Sequence, residues 1–115
     1  MSVTVTAKCA INTKYASTSA TQEYLTLSST RTIIDKFTCY NSDASNRTLT
    51  IYIVPSGESV SSAYIVFAEA ITTVTTQSIA ALMGQVLNSG DKIFVKGETA
   101  DKLIIRCSVR ECVTS

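Results

Sequence analysis

Alternation of apolar and polar side chains begins with the first residues. Val3, Val5, Ala7, Cys9 and Ile11 fall on one face of an extended chain, and Ser2, Thr4, Thr6, Lys8 and Asn12 fall on the other. This period of two predicts a half-buried strand over 3–11. Residues 13–22 (TKYASTSATQ) are polar, low in complexity and without period. They read as a long loop behind an ordinary edge strand, or as a link that lets residues 1–22 act as an N-terminal arm, open to exchange between copies.

The same period returns along the rest of the chain. Strands are predicted over 23–27 (EYLTL) and 31–40 (RTIIDKFTCY), the second with Ile33, Phe37 and Cys39 turned inward. Residues 41–46 (NSDASN) form a turn of side chains that hydrogen-bond their own backbone. The clearest strand is 47–54 (RTLTIYIV), with Leu49, Ile51 and Ile53 opposed to Thr48, Thr50, Tyr52 and Val54, and it ends at Pro55-Ser-Gly-Glu58. Over 59–71, β-branched and aromatic content favours a strand over a short helix striped by Ala63, Val66, Phe67, Ala70 and Ile71. A Thr-rich strand is expected at 72–78, and a short helical turn at 79–87 that Gly84 keeps from lengthening. After a turn at 88–91, strands 92–96 and 102–109 flank a hairpin connection at 97–101. Seven or eight short strands with at most one helical turn predict a single all-β domain over 1–115, an antiparallel β-sandwich or jelly roll.

Composition narrows the functions open to such a domain. A chain of 115 residues has room for one core. Charged residues make up 17%, against a usual figure of about 25%, so the surface is hydroxyl-rich rather than laced with ion pairs. A net charge of +1 is too small to draw a protein onto nucleic acid or anionic lipid, and neither is expected as a partner. The chain has no His, which removes Ser-His and Cys-His nucleophile pairs and the common zinc sites. No G-x-S-x-G or C-G-x-C motif appears either, and the expectation is a protein that is not an enzyme.

Candidate ligand groups are sparse. Asp91, Glu98 and Asp101 flank the last two strands but lack calcium-loop spacing, and Cys107 and Cys112 stand five apart with no C-x-x-C, so no metal or cofactor is predicted. Lys92, Lys96, Lys102, Arg106 and Arg110 form a basic stripe, diluted by Asp91, Glu98, Asp101 and Glu111. It reads as a solvated or protein-facing edge. Four cysteines, Cys9, Cys39, Cys107 and Cys112, would allow two disulfides in three connectivities in a secreted mini-protein. The start Met1–Cys9 lacks the basic and apolar segments of a secretory signal, so Asn46-Arg47-Thr48 is discounted as a glycosylation acceptor and the thiols are expected to be reduced and buried. The longest apolar run, Ala63–Ala68, stops far short of the roughly 20 residues of a membrane helix, and no membrane partner is expected.

Several segments carry a resemblance: NRTLTIYIVP at 46–55 followed by Ser56-Gly57, SIAA at 78–81, LMGQVL at 82–87, NSGDKI at 88–93 and LIIRCSVRE at 103–111. Over residues 31–112 these turn-and-strand patterns resemble the small β-sandwich virion proteins of tailed bacteriophages. The resemblance implies a capsid decoration or cement protein, made in the host cytoplasm and located in the virion. Its partners would be the major capsid protein or other virion subunits, with homo-oligomers expected and stabilisation by many modest contacts. The contact surfaces would then be Val3 and Val5 on the first strand, Thr48, Thr50 and Tyr52 on the outward face of 47–54, and Lys102, Arg106 and Arg110 on the last. The alternatives are a neck or tail-fibre attachment module and a carbohydrate-binding receptor module; the absence of Trp counts against the latter.

Overall fold

A computed structural model describes residues 2–114. Among the described residues, nine strands build two antiparallel sheets packed face to face. They are β1 (Val3–Tyr15), β2 (Thr21–Leu25), β3 (Thr30–Asn41), β4 (Arg47–Val54), β5 (Ile65–Ile71), β6 (Thr75–Ser78), β7 (Val86–Leu87), β8 (Lys92–Gly97) and β9 (Leu103–Thr114). One sheet runs β1-β9-β3-β6, with β7 also on β3, and the other runs β2-β8-β4-β5. Most connections cross between the sheets, which is the winding of a jelly roll. The β-sandwich expected from the alternating pattern is therefore the fold.

The core fills the gap between the sheets. Phe37, Leu49, Ile51, Ile93, Ile105 and their neighbours are fully buried, each contributing about 1.5–3 kcal/mol through the apolar area it removes from water. Asn41 is wholly buried at the end of β3, where its Nδ2 donates to Ile71 O (2.9 Å) and Ser45 O (3.0 Å) and its Oδ1 accepts from Asp43 N–H (2.9 Å). A buried amide must find such partners, and these tie β3 to the end of β5 and to the 41–46 turn. At Gly97 a Cβ would stand 3.2 Å from Ala16 Cβ, and Gly97 N–H donates to Ser17 O at 2.8 Å. The crossing from β1 to β2 is pinned there by a residue without a side chain.

Two strand faces differ from the sequence reading, and both differences have one cause. A bulge inserts Asp35 into β3, so that Ile34 stands opposite Val109 and Lys36 opposite Ser108. The extra residue reverses the phase, and the buried face is Thr30, Thr32 and Ile34, then Phe37, Cys39 and Asn41. Ile33, expected inward, is half-buried on the outer face. In β1 a bulge at Ala10 does the same: Ile11 faces the core opposite Cys107, whereas Cys9 lies opposite Ser108 on the outside. Val3, Val5, Ala7, Cys9 and Ile11 thus do not share a face, and the half-buried strand of the sequence reading is exposed throughout Val3–Cys9.

Element boundaries shift elsewhere. β1 continues through Tyr15, and the 13–22 loop shrinks to a crossing over 16–20. The expected strand over 59–71 begins only at Ile65, after a 3-10 turn at Ser62–Tyr64, and the strand over 72–78 begins at Thr75. The helical turn near 79–87 is a single 3-10 turn, Ala80–Leu82, which Gly84, at φ +83°, and the short β7 follow.

Candidate functional site

The first strand is the least covered part of the molecule. β1 is thirteen residues long, stands at a sheet edge and pairs with β9 alone among the described residues. Its outward face carries Val3 and Val5, 59% and 58% exposed, then Ala7 and Cys9. Sheet edges are commonly protected by charges that stand guard in solvent. Here the two lysines of β1 are engaged by the protein itself, Lys14 Nζ with Glu23 Oε1 at 2.8 Å and Lys8 Nζ with Glu111 Oε2 at 3.4 Å. The edge keeps its unpaired backbone groups beside an apolar stripe.

β9 supplies the surface next to that stripe. Cys112 stands opposite Val5, Arg110 opposite Ala7 and Ser108 opposite Cys9, all on the outward face. Arg110 Nε donates to Asp35 Oδ1 at 2.8 Å, and Arg106 donates to Asn12 Oδ1 and Thr13 Oγ1 at 3.1 and 3.0 Å. The expected basic stripe is thus partly spent on holding β3, β9 and β1 together. Lys102 lies in the turn before β9 rather than on the strand.

The four thiols divide by face. Cys39 and Cys107 are buried on the inner face, where desolvation pushes each thiol up to about 12 and leaves it unreactive. Cys9 is exposed and Cys112 is half-exposed, which corrects the expectation of four buried thiols. Cys112 pairs with Val5, four residues along β1 from Cys9. That separation is about 13 Å, beyond the roughly 7 Å limit between the Cα atoms of a disulfide. The two outward thiols are therefore unable to bond to each other within one chain.

The remaining predicted contact residues lie on the other sheet. Thr48 is exposed and Thr50 half-buried on the outer face of β4, beside Lys96 and Glu98, which with them line a shallow depression. Tyr52 belongs to that face but is only 9% exposed. Phe94 stands directly opposite it and the Ser62–Tyr64 turn packs on β4, so Tyr52 does not serve as a contact surface. The pattern of β4 alone gave no sign of this cover, because the covering segment comes from elsewhere in the chain.

No chemistry gathers at the carboxylates. Asp91 accepts the N–H groups of Asn88 (2.8 Å) and Ser56 (3.1 Å), and Glu98 accepts that of Thr48 (2.7 Å). β8 separates Asp91 from Glu98 and Asp101, so the three do not converge. Among the described residues no group of three or more His, Cys, Asp or Glu is placed to hold a metal ion. No helix among them is long and apolar enough to cross a membrane.

With this geometry in place, the comparisons with known proteins bear on the fold. No protein-family model matches the chain, and no curated protein does. One solved structure is similar, described as "Bacillus endospore appendages form a novel family of disulfide-linked pili". The two superpose with a TM-score of 0.60 over 98% of this chain and 89% of the appendage chain, at 14% sequence identity. At that identity the likeness is one of fold.

Proposed function

We propose that this protein is a structural subunit that assembles with copies of itself through the β1 edge, and that its outward thiols make the links between copies covalent. The observation that carries the reading is the long, uncovered β1, which offers backbone hydrogen-bonding groups and the apolar stripe Val3, Val5, Ala7 and Cys9 on the same strand. Cys9 and Cys112 support it, since both face outward and the two cannot bond to each other within one chain. A disulfide-linked pilus with a similar fold supports the class of role. Such links persist only in an oxidising setting, so the reading entails assembly outside a reducing cytosol. It assigns the protein no reaction.

The experiment is oxidation of the purified protein, followed by a non-reducing gel and electron microscopy. The expected result is a ladder of covalent oligomers that a reductant collapses. Replacing both Cys9 and Cys112 by Ser should abolish the ladder while noncovalent particles remain. A wild-type protein that stays monomeric at every concentration overturns the reading.

The narrower assignment, decoration of a tailed-phage capsid, rests on the turn-and-strand resemblance of residues 31–112. It would place the same exposed β1 face against coat subunits. Mixing the protein with expanded, unoccupied capsids separates the two readings: tight binding by a monomer favours the coat, and no binding by a self-assembling protein removes it.

A further inference from the structure

Val74 is in an unfavourable backbone conformation. It sits at φ +49°, a left-handed region that β-branched side chains rarely enter, and at 65% it is the most exposed of the large apolar side chains among the described residues. The turn around it is held from both flanks. Thr73 N–H donates to Asn46 Oδ1 at 2.9 Å, the Thr73 hydroxyl donates to Asp43 O, and the Thr75 hydroxyl donates to Thr73 O at 3.0 Å. Strain kept in place by its surroundings, with no packing gained inside the subunit, calls for an explanation outside the subunit.

The position of Val74 along the sandwich suggests one. Thr75 pairs with Asn41 at one end of β3, whereas Ser29 and Thr30 lie at the other, about 37 Å away at 3.3–3.4 Å per residue. The molecule measures 52 × 26 × 19 Å, so Val74 is near one pole. The opposite pole has a groove of ≈ 560 Å³, lined by Val3, Ser29, Arg31, Ser89 and Cys112 among others. Each pole also presents an exposed charge. Asp101, two residues before β9, lies beside the Val74 pole, and Arg31 lies in the groove; both are exposed, and among the described residues neither forms an ion pair.

We infer that copies of this chain stack head to tail, the Val74 turn of one entering the Ser29–Arg31 groove of the next, with Asp101 near Arg31 across the joint. A knob at one pole and a groove at the other make a heterologous contact, which repeats into a filament instead of closing into a dimer. The inference rests on the self-assembly reading and adds an axial contact, at the end of the sandwich where β1 begins, to the lateral one.

Val74→Asn tests it, because Asn tolerates the left-handed region and is polar. The melting temperature of the subunit should rise by about 4 °C as the strain is relieved. Filament length in micrographs should fall at least tenfold, while lateral association through β1 persists. Arg31→Glu should shorten filaments likewise, and adding Asp101→Arg should restore them. Filaments of wild-type length from Val74→Asn, a lowered melting temperature, or no restoration by the charge exchange would each overturn the stacking. A wild type that never assembles removes the self-assembly reading instead, and that result is distinguishable because it appears before any substitution is made.

Discussion

Tyr24 of β2 donates its phenol proton to Glu111 Oε2 of β9 at 2.5 Å, joining the two sheets beside the exposed half of β1. Thr32 Oγ1 lies 2.6 Å from the same phenol oxygen, and Lys8 of β1 reaches the same carboxylate. Burial and the neighbouring Glu111 push the Tyr24 phenol well above its ordinary range. Tyr24→Phe removes a hydrogen bond to a charged group and should cost about 2 kcal/mol in urea unfolding at pH 7. A loss below about 0.5 kcal/mol would show that this bond does not hold the sheets together.

Alkaline stability follows from the same residues and the inner thiols. Cys39 and Cys107 are raised from 9.0 to about 12 by burial, and Tyr24 is raised as well. A raised folded value means that stability is fully present below the unfolded value and is lost as pH rises through the folded one. Unfolding free energy should therefore be flat from pH 6 to 8 and fall steadily from about pH 9 towards pH 12. Cys107→Ala should make that fall shallower by one thiol, although a cavity lowers its stability at neutral pH. A stability curve that stays flat to pH 11 would contradict the burial of these groups.

Thiol labelling gives an independent check of the division by face. In native protein kept reduced and monomeric, a thiol reagent should modify Cys9 and Cys112 within minutes, and Cys39 and Cys107 only after unfolding. Mass spectrometry of the peptides reads the sites. Rapid native labelling of Cys107 would place β9 in the wrong phase.

The Asp35 bulge predicts unequal costs at two adjacent isoleucines. Ile34→Ala empties a fully buried position and should cost about 2–5 kcal/mol, whereas Ile33→Ala on the outer face should cost about 1 kcal/mol or less. The opposite ranking would restore the unbroken alternation that the sequence suggests.

That pair also shows where the sequence was readable and where it was not. The alternation along β9 was legible, because Leu103, Ile105, Cys107 and Val109 are all buried; along β4 it holds for Leu49 and Ile51, whereas Tyr52 and Val54 of the other face are buried too. The bulges were not, since Ile33 and Ile34 are chemically alike and Ala10 is small enough for either face; pairing with β9 alone decides the phase. The exposure of Val3 and Val5 could not be read. Their period of two pointed to a half-buried strand, and the bulge instead turns them outward with Cys9. Tyr52 failed as a contact residue because its cover comes from Phe94 and the 62–64 turn, a relationship that no local pattern contains.

Self-assembly through β1 is tested most directly by hydrogen exchange on assembled and monomeric protein. Edge amides of Val3–Tyr15 that exchange with solvent in the monomer should become protected at least tenfold in the assembly, while those of β5, at the opposite edge of the other sheet, change little. Assembled particles whose β1 amides exchange at the monomer rate would contradict the claim that this edge joins the copies.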